Sequence, residues 1–168
     1  MRYFVLVASA AVVAAGCAGN NPQTREEFVK TRRDGVPFNM TDSYVANRRF
    51  EDVVSSLRKK SEECLQVDVT MKRTQGGMTA MNATDEYRTV VKVVGPNMAQ
   101  MTTQFQMAKG QIVTQKVPEG GFYARAVDIE RASPRTTKLT YYGSSLDAGK
   151  KAWGTIKEWS DGKNSPCP

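Results

Sequence analysis

Across residues 66–142 the chain is a succession of strand-length stretches broken by turn residues, and this punctuation constrains its fold more than any other feature. Residues 66–74 alternate, with Val67, Val69 and Met71 on one side, and 86–94 are β-branched and end at Gly95-Pro96-Asn97. Residues 98–108 put Met101, Thr103, Phe105 and Met107 on one face. Residues 111–117 stop at Pro118-Glu119-Gly120-Gly121, and 122–131 lead through Ser133-Pro134-Arg135 into 136–142. Alternation at period two marks half-buried strands. Connections this short allow only antiparallel neighbours, because a parallel return needs a crossover of about a dozen residues or more. The expectation is a meander, with one further strand near 43–46 and an irregular stretch over 75–85.

A sheet with one apolar face needs a cover, and two amphipathic helices supply it. With Asn47 as N-cap, a helix to about Leu65 aligns Phe50, Val53, Val54, Leu57, Ser61, Cys64 and Leu65 on one stripe. Glu51 and Asp52 sit early in it and Lys59 and Lys60 late, as the helix dipole favours. A last helix from Ser145 to about Trp159 carries the stripe Gly149, Ala152, Trp153, Ile156 and Trp159. A short helix over 25–33 opens with the capping-box spacing Thr24 to Glu27 and stops at Gly35; its small apolar surface makes it marginal by itself. The expected fold is therefore α+β, an antiparallel sheet of six to seven strands packed against two amphipathic helices. This element order over residues 43–160 resembles helix-grip architectures, which include domains of the BamC assembly-factor lipoproteins and the START-like lipid-binding proteins; the resemblance carries no sequence motif.

Residues 1–16 stand apart. Met1-Arg2, an apolar run from Tyr3 to Val13 and the small residues Ala14-Ala15-Gly16 form a secretory signal, too short for the roughly 20 apolar residues of a bilayer span. Ala14-Ala15-Gly16-Cys17 resembles the lipobox of bacterial lipoproteins, departing at Ala14 where Leu is commoner. That resemblance implies cleavage after Gly16, a diacylglyceryl thioether on Cys17 and an acylated new amino terminus, an effectively permanent anchor. Ala18-Gly19, with no Asp after the cysteine, implies sorting to the outer membrane, facing the periplasm. The organisation is then a signal peptide over 1–16, the lipidated cysteine with tether and short helix over 17–42, and one periplasmic domain over 43–168. With Cys17 acylated, Cys64 and Cys167 remain as an even pair in an oxidising compartment, and a disulfide between them is expected.

The chain has no histidine, which removes Ser-His-Asp triads, Cys-His dyads and histidine zinc sites together. It contains no phosphate-binding loop and no dinucleotide fingerprint. The nearest carboxylate pairs are Asp85-Glu86 and Asp128 with Glu130; the latter, between Arg125 and Arg131, read as surface charges. No catalytic residue and no cofactor are assigned, and an enzyme is not expected. Met71, Met78, Met81, Met98, Met101 and Met107 are soft donors suited to copper(I). Their strand spacing and the lack of a supporting histidine favour core filling instead, so no metal ligands are assigned. The net charge of +7 draws the domain to acidic surfaces, and the compartment excludes nucleic acid. Two roles follow. The first is non-enzymatic interaction or scaffolding in the envelope, with a protein partner or an anionic lipid surface. The second is binding of a lipid or small apolar ligand between sheet and last helix, lined by Phe105, Phe122, Trp153 and Trp159.

Overall fold

The computed structural model describes residues 21–34, 37–73, 81–108 and 115–168, without the side chains of 71–73 and 81–83. The expected leader, Cys17, Gly35, Met78 and most of the strand expected over 111–117 lie outside the described residues, and 115–117 are not strand. Three helices, α1 (Arg25–Arg33), α2 (Phe50–Cys64) and α3 (Asp147–Ser160), accompany six strands. The strands are β1 (Asn39–Ala46), β2 (Val67–Arg73), β3 (Met81–Gly95), β4 (Met98–Gln106), β5 (Phe122–Ser133) and β6 (Thr136–Ser144). They form one antiparallel sheet in the order β1-β6-β5-β4-β3-β2, so the fold is α+β.

β2 to β6 form a meander as expected, except that β4 pairs directly with β5 and no strand over 111–117 stands between them in the sheet; β1 closes it from the far side by pairing with β6. That placement forces α2 to carry the chain across the sheet. A 15-residue helix rises about 22 Å, ample for an oblique path over three strand spacings of about 4.8 Å each. Its entry is fixed where the Thr137 hydroxyl donates to Arg48 O at 2.8 Å, and its exit where the Thr89 hydroxyl donates to Leu65 O at 3.3 Å. α3 lies beside α2 on the same face. Phe50, Val53 and Leu57 of α2 and Trp153, Ile156 and Trp159 of α3 bury against Ala99, Met101, Val127, Ile129, Leu139 and Tyr141 of the sheet.

The disulfide between Cys64 and Cys167 is present, Cα atoms 5.2 Å apart and 103 residues apart in sequence. A loop of that length limits the unfolded chain by roughly 4–5 kcal/mol in the chain-entropy account. The tail it holds also accepts the Trp159 indole proton at Ser165 O (3.1 Å) and the Lys60 ammonium at Asn164 Oδ1 (2.8 Å).

Several expectations change. Asn47 is not the cap of α2, whose first residue is Phe50 and whose cap, Arg49, makes no side-chain capping bond; the chain before it is tied instead to β6 and, through Arg48 Nη1, to Ser160 O at 3.2 Å. β1 starts at Asn39, earlier than residue 43. Residues 81–85 are not irregular but open β3, because the hairpin partner Val67–Arg73 pairs with them residue by residue. Val67 and Val69 stay exposed, since β2 is an edge strand beyond the reach of α2. The short helix α1 is docked, not marginal: Phe28 and Val29 bury on the opposite face of the sheet against Ala126 and Tyr142, with Tyr123 beside them. Its capping box closes as expected, Glu27 N donating to Thr24 Oγ1 at 3.2 Å. Asp128 is consequently no surface charge, for α1 lays Arg25 over it at 2.8 Å, each side chain 11% exposed.

Candidate functional site

The strand register sorts the helix-covered face into cross-strand rows. One row is Val91, Met101, Val127 and Tyr141, and the next toward the middle of the helices is Ala99, Ile129 and Leu139. Both are core. Moving the other way, toward the end where β5 starts and β6 stops, the row changes character to Thr89, Thr103 and Arg125, followed by Tyr87, Phe105 and Phe122. Period-two alternation puts these residues on the inner face whatever their chemistry.

The outermost row is a file of stacked rings. Tyr87 and Phe105 have centroids 5.4 Å apart and Phe105 and Phe122 5.5 Å, with Tyr87 and Phe105 only partly buried. Gly121, at φ 103°, lets the chain turn against Phe105, whose carbonyl oxygen would lie 2.4 Å from any added Cβ. Behind the file, Thr89 and Thr103 satisfy each other at 2.8 Å. A groove of about 230 Å³ at the end of α2, lined by Ser61, Gln66, Thr89 and Val91 among others, reaches the same polar row.

Arg125 is the exception in that row. Its Nη1 is buried without a hydrogen-bond partner, and its guanidinium has no ion pair among the described residues. Burial lowers its pKa, against the opposing pull of the Tyr141 and Tyr87 phenols that flank it. Burial likewise raises Tyr141, moderated by Arg125 and Arg32. The Tyr141 hydroxyl occupies the space a side chain at position 143 would fill, 2.2 Å from an added Cβ, and donates only a long bond, 3.4 Å, to Gly149 O. Arg32, on α1, has a buried Nε without a partner, although its Nη1 donates to Asn39 Oδ1. An unpaired buried cation is costly unless something anionic meets it.

The structure brings Phe105 and Phe122 together and separates them from the two tryptophans. Trp153 stacks on Tyr141 at 5.1 Å and donates to Asp42 Oδ2 at 2.7 Å, so it walls the site from behind. Trp159 is fully buried in the core cluster, its indole proton given to the C-terminal tail. Met101 is core, while Met98 falls on the opposite face by alternation, so these two methionines do not converge. No group of three His, Cys, Asp or Glu side chains suited to a metal occurs among the described residues. The sequence reading missed Arg125 as a site residue by treating it as a neighbour of Asp128. Its spacing with Val127 and Ile129, a charge in phase with core positions, was the available signal.

No family model and no curated protein matches the sequence. Among solved structures, the hypothetical protein jhp0584 from Helicobacter pylori is 12% identical over 74% of this chain and 84% of its own, with a TM-score of 0.38. An uncharacterised protein from Rhizobium leguminosarum is 8% identical over 73% and 91%, with a TM-score of 0.29. The di-domain ARO/CYC StfQ from the steffimycin biosynthetic pathway is 11% identical over 81% of this chain and 46% of its own, with a TM-score of 0.27.

Proposed function

We propose that this chain is a lipid-anchored domain of the outer membrane, facing the periplasm, whose role is non-enzymatic binding of a small apolar ligand at the open end of the helix-covered face. The single observation behind the binding role is the file Tyr87–Phe105–Phe122, with Tyr87 and Phe105 partly exposed on the face that elsewhere forms the core. Aromatic side chains convey most of their energy by being covered, and a concave, mainly apolar wall with few polar groups is the usual make-up of a small-molecule site. The anchoring part rests on the Ala14-Ala15-Gly16-Cys17 motif and agrees with the oxidised cysteine pair; no helix among the described residues is long and apolar enough to cross a membrane. Ligand binding takes precedence over scaffolding alone because a partner surface would not require aromatic rings on the inner face.

Native mass spectrometry of the full-length protein, extracted gently from membranes, tests the binding role. The expected spectrum holds a population heavier by one amphiphile beyond the covalent lipid, lost in Phe105→Ala. Empty protein alone, combined with failure to take up the neutral probe N-phenyl-1-naphthylamine, overturns it.

A further inference from the structure

Arg125 asks for something the apolar file does not provide. A guanidinium carries five donors in a rigid fork, is always charged near neutral pH and matches carboxylate and phosphate oxygens in pairs. Here that fork is mostly buried, with Nη1 unpartnered, whereas Asp128, Asp85 and Arg131 on the same sheet are each engaged. Asp128, three positions on, is engaged by Arg25 through the opposite face. Asp85, 1% exposed on β3, accepts from Ala108 N. Arg131 is held by Asn97 and Glu51. The inner face therefore contains a positive charge with no ion pair to a carboxylate among the described residues.

Its neighbours suit an anion. The Tyr141 hydroxyl lies beside Arg125, has the Ser144 backbone as one partner and donates only the long bond to Gly149 O, so it can redirect its proton to a stronger acceptor. Ion-assisted hydrogen bonds are about twice as strong as neutral ones. Arg32 adds positive potential from beyond Tyr141, with its own unpartnered Nε. Successive same-face positions on a strand are about 7 Å apart, so Arg125 lies one step inward from the ring file. A ligand could place a charged head at Arg125 and its chain against Phe105 and Tyr87.

We infer that Arg125, assisted by the Tyr141 hydroxyl, is an oxyanion subsite that selects single-chain amphiphiles with a carboxylate or phosphate-monoester head. This inference rests on the apolar binding role proposed above and adds the chemical class of the ligand.

The full-length lipidated chain, reconstituted in phosphatidylcholine nanodiscs, is titrated with octanoate, octyl phosphate, 1-octanol and inorganic phosphate. Tryptophan fluorescence is the readout, since Trp153 stacks on Tyr141. Wild type, Arg125→Met and Arg125→Lys are compared in the same discs, so partitioning into lipid cancels. The expected result is that octanoate or octyl phosphate binds at least tenfold tighter than octanol to wild type. The preference should vanish in Arg125→Met and survive in part in Arg125→Lys; which head binds better identifies carboxylate or phosphate. Equal binding of the alcohol and both anions, unchanged in Arg125→Met, overturns the subsite and leaves the apolar role standing. Inorganic phosphate as tight as octyl phosphate keeps the subsite and removes the apolar role. No saturable response to any of the four overturns both.

Discussion

Where α3 ends and α2 begins, Trp159, Leu57, Ile129 and Leu139 are each fully buried and polar groups beside them are matched: Tyr44 donates to Asp161, Thr137 to Arg48 O, and Ser56 to Trp159 O. At the other end of the same face, where β5 starts, Tyr87 and Phe105 are only partly covered and the partly buried Arg125 keeps one buried donor, Nη1, unmatched. The same strands, with the same alternation, run through both ends. The difference teaches that the stability of this domain is concentrated at one end and that the other is left with unmet interactions, as binding sites commonly are.

Substitutions at the two ends should therefore have opposite signs. Trp159→Ala removes the largest fully buried side chain and its bond to the tail, and should cost about 3–5 kcal/mol in urea unfolding. A loss below about 1 kcal/mol would break the comparison, for it would mean the sealed end can collapse freely. On the reverse face, Asp128→Ala strands Arg25 beneath α1 and should cost about 3 kcal/mol. The companion Arg25→Met/Asp128→Leu protein should recover most of it, because apolar replacement of a buried pair is commonly near neutral.

Arg125→Met should go the other way. Removing a buried donor without a partner is expected to raise stability by about 1–3 kcal/mol. A lowered melting temperature in Arg125→Met would show that this arginine is a structural member of the fold and would erase the contrast between the ends. The smallest effect is with pH. Tyr44 is held above the usual phenol range by its bond to Asp161, and Tyr141 and Tyr142 by burial. A raised folded-state value means that their contribution is fully present below the unfolded value of about 10 and is lost as pH rises through the folded values. The urea midpoint should be level up to about pH 9.5 and fall above about pH 10, less steeply in Tyr44→Phe; a midpoint that holds through that range contradicts the assignment.

Much of the architecture could be read from residue order. Phe50, Val53, Val54, Leu57, Ser61 and Cys64, spaced as a stripe, are the buried residues of α2; Ala152, Trp153, Ile156 and Trp159 serve the same purpose in α3. The turns at Gly95-Pro96-Asn97 and Ser133-Pro134-Arg135 end strands where they should. What escaped was non-local. Nothing near Arg25 in sequence announces Asp128, and α1 is stable only because the outer sheet face offers Ala126 and Tyr142 to cover Phe28 and Val29. Of the candidate lining residues, Phe105 and Phe122 meet because β4 and β5 are paired in that register, whereas Trp153 and Trp159, on one helix stripe, are shared between the wall of the site and the sealed core.

The order of apolar, polar and turn-forming residues determined most of the helices and strands, though not the start of β3, that the strands run antiparallel, and that Cys64 and Cys167 were a candidate pair. These depend on periodicity and short connections, which are local properties of a chain. The pairing of β1 with β6, the docking of α1 and the isolation of Arg125 were decided only when distant segments packed. Whether a buried charge has a partner depends on which atoms from elsewhere arrive within about 3 Å, and no window along the sequence holds that information.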